Sequence, residues 1–273
     1  MEDNAILKMM RYEYQRAARL SLARLGCSLL VVLPPITSLL DTTNKFVYPL
    51  AALSFLALVV WLLVDWIYLG ARDRSLAARR ALMVSNGSGE PIHPVIRTDL
   101  LEISQPSEDA TLLVDVHSYY ASTAPPGPKR ILEIVEESAF YSERTQKHSG
   151  FTLGFVVVTY IAIFLLGIIV AVPSLSTALL EVLMQFFMIC AAFVLSGDLF
   201  QRAFQHLKAS SECRRIQKAC LALSKQDAST TDALLLLSDY FGAMQGAPET
   251  LPHSFSQKQH ANIERSWKKR KTS

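Results

Sequence analysis

The chain has 273 residues, a hydrophobic share of 51%, a charged share of 19% and a formal net charge of +3. So apolar a composition excludes an ordinary soluble domain unless the apolar residues cluster. The mild charge does not point to a nucleic-acid polymer as partner, and Cys27, Cys190, Cys213 and Cys220 contain no CxxC pair and no disulfide framework.

The apolar residues do cluster, in four blocks, and these predict an all-α membrane protein with four transmembrane helices in two hairpins and a helical cytoplasmic region. Residues 1–24 read as a cytoplasmic lead-in helix, rich in Leu, Arg, Ala, Gln and Met and free of Pro and Gly. Glu2, Asp3 and Glu13 precede the first apolar block, so that block is expected to act as an uncleaved anchor. Residues 25–69 form the first predicted hairpin. Its first span, 25–40, is short, and crossing the bilayer requires Arg24 to snorkel. Pro34-Pro35 predicts a kink or local unwinding there, with a hinge as the alternative. Residues 41–45 read as a turn, and the second span runs from 46 to 69. Trp61, Trp66 and Tyr68 suit the headgroup level at its far end. Asp65 lies near the same end. An ionisable group inside a span is a functional candidate, and here the competing reading is a snorkelling or Arg-paired carboxylate.

Residues 70–148 read as a cytoplasmic helical insert. A basic helical extension carries Arg72, Arg74, Arg79 and Arg80 and breaks at Asn86-Gly87-Ser88-Gly89. Asn86-Gly87-Ser88 matches a glycosylation acceptor, but the charge-derived topology puts it in the cytoplasm. Residues 99–103 are helix-compatible. A further helix is expected from Ser107, with Glu108 and Asp109 in its first turn and an apolar stripe ending at Tyr119 and Tyr120. Pro125, Pro126, Gly127 and Pro128 stop it, and residues 131–148 form a last helix leading into the third span.

Residues 149–200 form the second predicted hairpin. No charged side chain occurs between Ser149 and Leu180. A 22-residue first arm, 151–172, extends about 33 Å as a helix, enough to cross a hydrocarbon core of about 30 Å. The second arm carries a polar stripe of Glu181, Gln185, Met188, Ala192 and Ser196 on one helical face. Either it packs within the bundle or it lines a pore in an oligomer. Asp198, like Asp65 in the first hairpin, marks the acidic exit into a basic helix. Residues 201–273 then read as cytoplasmic helices and a basic tail, with a turn at 227–231, a helix over 232–244 capped by Thr231, and a polar helix from Ser254. Arg265, Lys268, Lys269, Arg270 and Lys271 in the tail either bind anionic lipid or stay solvated.

Charge placement orients the predicted spans. Lys and Arg number five in residues 1–24, one in the first outer loop, nine in the central region, none in residues 173–177 and twelve from residue 200 onward. All but one lie on a single side, which predicts a multi-pass inner-membrane protein with both termini cytoplasmic. No metal is expected: His206, Cys213 and Cys220 recur every seven residues, about 10 Å apart along a helix, which is too far for one ion and suits a core stripe. No nucleotide-binding, hydrolase or metalloprotease motif occurs, no nucleophile sits beside His93 or His117, and no cofactor is implied. The chain is read as a non-enzyme.

Several short stretches resemble a known family. They are YEYQR at residues 12–16, the Tyr119-Tyr120 pair followed by Pro125-Pro126, FYSER at 140–144, and GAPETLP at 246–252 ahead of Trp267. With the two-hairpin layout they resemble the SMODS-associating four-transmembrane effectors of bacterial anti-phage cyclic-oligonucleotide systems. The resemblance implies a homo-oligomeric effector in the lipid bilayer, switched by a cyclic oligonucleotide and disrupting the membrane. Arg72, Arg74, Arg79, Arg80, Arg214 and Arg215 flank the cytoplasmic ends of spans two and four and are candidate contacts to an anionic ligand, or to headgroups. The competing function is a non-conducting scaffold subunit or a small channel or transporter component.

Overall fold

A computed structural model describes residues 2–38, 47–103, 119–171, 176, 185–186, 199–248 and 253–272. Among these the chain is all-helical, without strands: α1 (Glu2–Ser38), α2 (Val47–Ser88), α3 (Pro94–Ile103), α4 (Pro128–Ala171), α5 (Leu199–Leu223), α6 (Thr230–Gln245) and α7 (His253–Thr272). The chain divides into two compact units. Unit 1 comprises Met1–Arg19, Leu69–Ser149 and Gln205–Ser273; unit 2 comprises Leu20–Tyr68 and Gly150–Phe204. Helices α1, α2, α4 and α5 each pass from one unit into the other.

Unit 1 follows from stripes of small and apolar residues at helical spacing. On α2, Ala71, Ser75, Ala78 and Leu82 are buried at steps of four, three and four. On α5, His206, Ser210, Cys213, Gln217 and Cys220 are buried at alternating steps of four and three. Such spacing keeps one face of a helix against its neighbours. Ile131, Leu132, Ile134, Val135 and Ala139 of α4 meet Met83 of α2, Cys213, Ile216 and Cys220 of α5, and Leu236, Leu237, Tyr240 and Phe241 of α6 in one core. Burying each of the larger side chains contributes about 1.5–3 kcal/mol. Ile6, Leu7, Met9 and Met10 of α1 join Ala78, Leu82 and Leu100 in a second cluster. The lead-in helix is thus part of this unit. Helix α7 docks through Ile263 and Trp267 onto Phe140.

In unit 2 the apolar side chains are outward. Tyr48 is 85% exposed, Trp66 76%, Phe155 72%, Ile169 70% and Phe55 69%. A soluble surface seldom leaves so continuous an apolar area uncovered. One helix among the described residues, Tyr48–Ser88, is long and apolar enough to cross a membrane, and only 6% of its most apolar window is buried. The core helix of a soluble protein would be mostly covered there. The unit's own small core joins Val157 and Leu199 with Leu25, Leu153 and Tyr160.

Helix α1 remains helical through Pro34 and Pro35 to Ser38, so the prolines do not unwind it. Local structure differs from expectation at three places. Tyr119 and Tyr120 lie in a turn, where the sequence placed them on a helix; residues 107–118 of that helix are outside the described residues. The cap of α6 is Ser229 and not Thr231. The Ser229 hydroxyl accepts from the Asp232 amide while the Asp232 carboxylate accepts from the Ser229 amide, a reciprocal pairing that Thr231 stands too late to make. Pro128 does more than stop a segment, since it opens α4 at a position where a missing N–H costs nothing. The expected turns at 41–45 and 173–177 fall outside the described residues, apart from Ser176.

The end of α2 and the start of α4 are latched. The Gly127 amide, at φ +143°, donates to the Gly87 carbonyl at 2.8 Å. Arg130 donates to Asn86 Oδ1 at 3.1 and 2.9 Å and to the Ala124 carbonyl at 2.9 Å. A Cβ on Gly87 would stand 2.6 Å from Ile131 Cγ1 and 3.3 Å from Ile131 Cα, and Ile131 is buried with no room to retreat. Gly87→Ala is expected to destabilise the full chain by about 1–3 kcal/mol, read as a lowered thermal midpoint. Gly242→Ala, where nothing lies within 4 Å, should leave the midpoint unchanged or raise it.

Candidate functional site

Of the predicted intramembrane stripe, Glu181, Met188, Ala192 and Ser196 lie outside the described residues, as does Asp198. Gln185 is helical and exposed. Asp65 is described, and it pairs with Arg24 at 2.9 Å. The Arg24 guanidinium carbon also lies 5.0 Å from the Trp61 ring centroid and 5.7 Å from that of Tyr68. The span's acidic group and the cation at the end of the lead-in helix therefore neutralise each other. Leaving either alone in a poorly solvated setting would cost several kcal/mol, on the order of 3–5.

The six candidate arginines divide by partner. Arg72 Nη2 donates to the carbonyls of Met244 at 3.3 Å, Ala247 at 2.6 Å and Gln245, where α6 ends. Helix C-termini expose such carbonyls and attract cations. Arg74 meets Glu13 at 3.3 Å, and that carboxylate is fully buried and also within 3.6 Å of Arg16. Arg215 bridges Glu212 at 2.9 Å and Asp239 at 3.2 Å. Arg80 stacks on Phe241 at 4.9 Å, and Arg214 is exposed.

Arg79, like Arg80, stacks on a ring: its guanidinium carbon lies 5.3 Å from the Tyr240 ring centroid, and it makes no hydrogen bond or ion pair among the described residues. Arg11, from α1, stacks in the same way 5.3 Å from the Tyr119 centroid. Tyr119 and Tyr120 meet edge to face with centroids 4.8 Å apart. The Tyr120 side chain is only 6% exposed, and its hydroxyl is buried without a hydrogen-bond partner among the described residues. Tyr240 is satisfied by Ser142 at 2.9 Å.

The Tyr119-Tyr120 turn is positioned by α4. The Ala121 amide donates to Glu137 Oε2 at 2.9 Å, and the Ser122 hydroxyl to Glu133 Oε2 at 2.6 Å. The two glutamates lie one helical turn apart on α4, so they grip successive residues of the turn. Sequence reasoning had Tyr119 and Tyr120 as the end of an apolar helical stripe and as part of a family likeness, and it missed Arg11, Glu133, Glu137 and Tyr240 as their neighbours. Nothing local in the sequence marks Arg11 and Tyr119, or Arg79 and Tyr240, as residues that meet across more than 100 positions.

Burial controls the chemistry of the neighbouring acids. It pushes the Tyr120 phenol far above the ordinary range, with Arg79 only partly opposing it. It pushes Tyr240 up to about 12 despite the same arginine, and the thiols of Cys213 and Cys220 up to about 12. His206, Cys213 and Cys220 are all buried on one face of α5. His206 Nδ1 bonds Gln146, whose amide donates to the Pro248 carbonyl at 3.3 Å.

Comparison with known proteins finds no matching family model, no matching curated protein and no matching solved structure.

A pH dependence follows from the raised groups. Unfolded thiols and phenols lose their protons near pH 9 and 10, while the folded state holds them to about 12. Above about pH 9 the unfolded state binds fewer protons than the folded one, so stability falls as pH rises towards 12. Chemical denaturation across that range should show the decline, and a Cys213→Ala/Cys220→Ala variant should show a shallower one. In the folded chain at neutral pH both thiols should resist alkylation.

Proposed function

We propose that this chain is a multi-pass membrane effector, with two helical hairpins in the bilayer and unit 1 in the cytoplasm. It is activated by a cyclic oligonucleotide or a partner and permeabilises the membrane as a homo-oligomer. The observation that carries the membrane placement is the outward apolar surface of unit 2, from Tyr48 to Trp66 on α2 and from Phe151 to Ile169 on α4. Lipid satisfies such a surface and water does not. The charge asymmetry of the sequence supports the orientation. The likeness to the SMODS-associating four-transmembrane effectors supports the defence role.

The helices that would cross the bilayer continue into unit 1, so ligand energy can be passed along them. The ligand must bind the permeable arrangement better than the closed one, and the shift it produces is limited by that difference.

The Arg24–Asp65 pair favours the second reading, a non-conducting scaffold. A neutralised, aromatic-flanked pair at 2.9 Å locks a hairpin and offers no free charge to a permeating ion.

Proteoliposomes loaded with a self-quenched dye separate the two. The effector reading expects leakage that depends on added cyclic oligonucleotide and rises steeply with protein density. Tight vesicles under a panel of cyclic di- and trinucleotides, with the protein shown to be inserted, would leave the scaffold.

A further inference from the structure

We infer that Arg11, Arg79, Tyr119, Tyr120 and Tyr240 of unit 1 form a binding site for a phosphate-bearing anion. The argument starts from how this unit treats its other guanidinium groups. Arg72 holds three carbonyls, Arg74 a buried glutamate, Arg130 an asparagine and a carbonyl, Arg215 two carboxylates, and Arg270 both Glu136 at 2.9 Å and Gln217 at 3.1 Å. Among the described residues Arg11 and Arg79, like the exposed Arg80, have ring faces and no polar partner. A ring face engages the plane of a guanidinium and leaves its five N–H donors, which lie in that plane, without a protein acceptor.

Two like charges stack on one tyrosine cluster. Arg11 lies over Tyr119 and Arg79 over Tyr240, and Tyr119, Tyr120 and Tyr240 pack into the same core cluster. The carboxylate whose charge reaches Tyr120, Glu137, is engaged by the Ala121 amide. The hydroxyl of Tyr120 supplies the second, independent sign. A buried donor without an acceptor costs about 1–3 kcal/mol, and buried polar groups are otherwise nearly always satisfied. An anion with several acceptor oxygens meets every one of these deficits. Phosphate fits best, because it presents acceptors in more than one direction and pairs with guanidinium groups through two parallel bonds. Two arginines also match its charge better than that of a single carboxylate.

Entry to the Tyr120 hydroxyl requires the turn at residues 119–122 to shift. That turn is held to α4 by the Glu137–Ala121 and Glu133–Ser122 bonds, so anion binding would be registered on α4, which continues into unit 2. The site rests on the proposed ligand-activated function only in the choice of one probe.

The test is the thermal midpoint and titrated affinity of the full chain in phosphatidylcholine nanodiscs. The soluble probes are inorganic pyrophosphate and a cyclic dinucleotide, and a second set of discs contains phosphatidylglycerol. A soluble phosphate ligand raises the midpoint in phosphatidylcholine discs, whereas a headgroup raises it only in phosphatidylglycerol discs. Either shift supports the site if Arg79→Met or Arg11→Met weakens it by about 10- to 100-fold, the range for a lost hydrogen bond to a charged group. Arg214→Met, on an exposed position of the same unit, should leave it unchanged. Tyr120→Phe gives the sharpest readout. Removing an unsatisfied hydroxyl should keep or raise the ligand-free midpoint while weakening the ligand-induced shift. The site is overturned if no probe shifts the wild-type midpoint, or if Tyr120→Phe and both arginine variants bind as the wild type does. Dye leakage is scored separately, so a tight vesicle with an intact thermal shift overturns the effector reading and leaves the site standing.

Discussion

The first half of α4 is the constraint on which unit 1 depends. Ile131, Leu132, Ile134, Val135, Ser138, Ala139, Phe140, Ser142, Gln146 and Ser149 are all buried, so this stretch is covered by protein on more than one face. Its neighbours come from every part of the chain. Met83 arrives from α2, Cys213 and Ile216 from α5, Tyr240 and Phe241 from α6, and Ile263 and Trp267 from α7. A helix covered in this way cannot be polar on its outer side, and α4 meets the requirement with small hydroxyl residues that find partners. Ser142 reaches Tyr240, and Ser138 reaches the Met83 sulfur at 4.0 Å. Where larger polar groups are needed, they are tied off, as Gln146 is by His206 and Pro248.

Around this axis the arginines act as connectors between helices, and their partners show how a cation survives partial burial. Glu13 of α1 is buried outright and is held by Arg74 of α2. Arg144 lies 3.5 Å over the Phe140 ring and Arg270 5.4 Å from it, and the two are kept on that ring together with Glu143 and Glu136 nearby. Carboxylate, carbonyl and aromatic partners each lower the cost of removing the charge from water. Arg11, Arg79 and the exposed Arg80 have aromatic support and no acceptor among the described residues, and the first two stack on the cluster that holds the Tyr120 hydroxyl. Function is expected where local satisfaction fails, since a native chain keeps such a deficit only when something else meets it.

The two units dispose their apolar residues differently. Unit 1 packs many of its own into shared clusters. Unit 2 leaves many outward and holds the Arg24–Asp65 pair, an arrangement that fits the proposed place in lipid. Helices α1, α2, α4 and α5 each contribute residues to both units. Under the proposed function that continuity is the physical means by which an anion bound among the tyrosines would bias the hairpins.

The amino-acid order by itself determined the all-helical class, because long runs of helix-forming residues with apolar positions at steps of three and four favour no other regular structure over the lengths of α1, α2 and α5, and of these α5 is free of Gly and Pro altogether. It also showed the buried stripe of His206, Cys213 and Cys220, since seven residues return a helix to nearly the same face. It misplaced Tyr119 and Tyr120, because an apolar stripe reads the same whether its last members continue a helix or turn onto a neighbour. It offered Arg72, Arg74 and Arg215 for an external anion, because a cation near the end of a span has no visible partner until the chain is folded. Only the tertiary structure decided that Arg72 meets carbonyls 172 to 175 residues away, that Arg24 meets Asp65, and that Arg11 and Arg79 stack on the rings of Tyr119 and Tyr240. Periodicity is a local property and is written in neighbouring residues. Partnership across helices depends on where the packed core brings distant side chains together, and no local pattern carries that information.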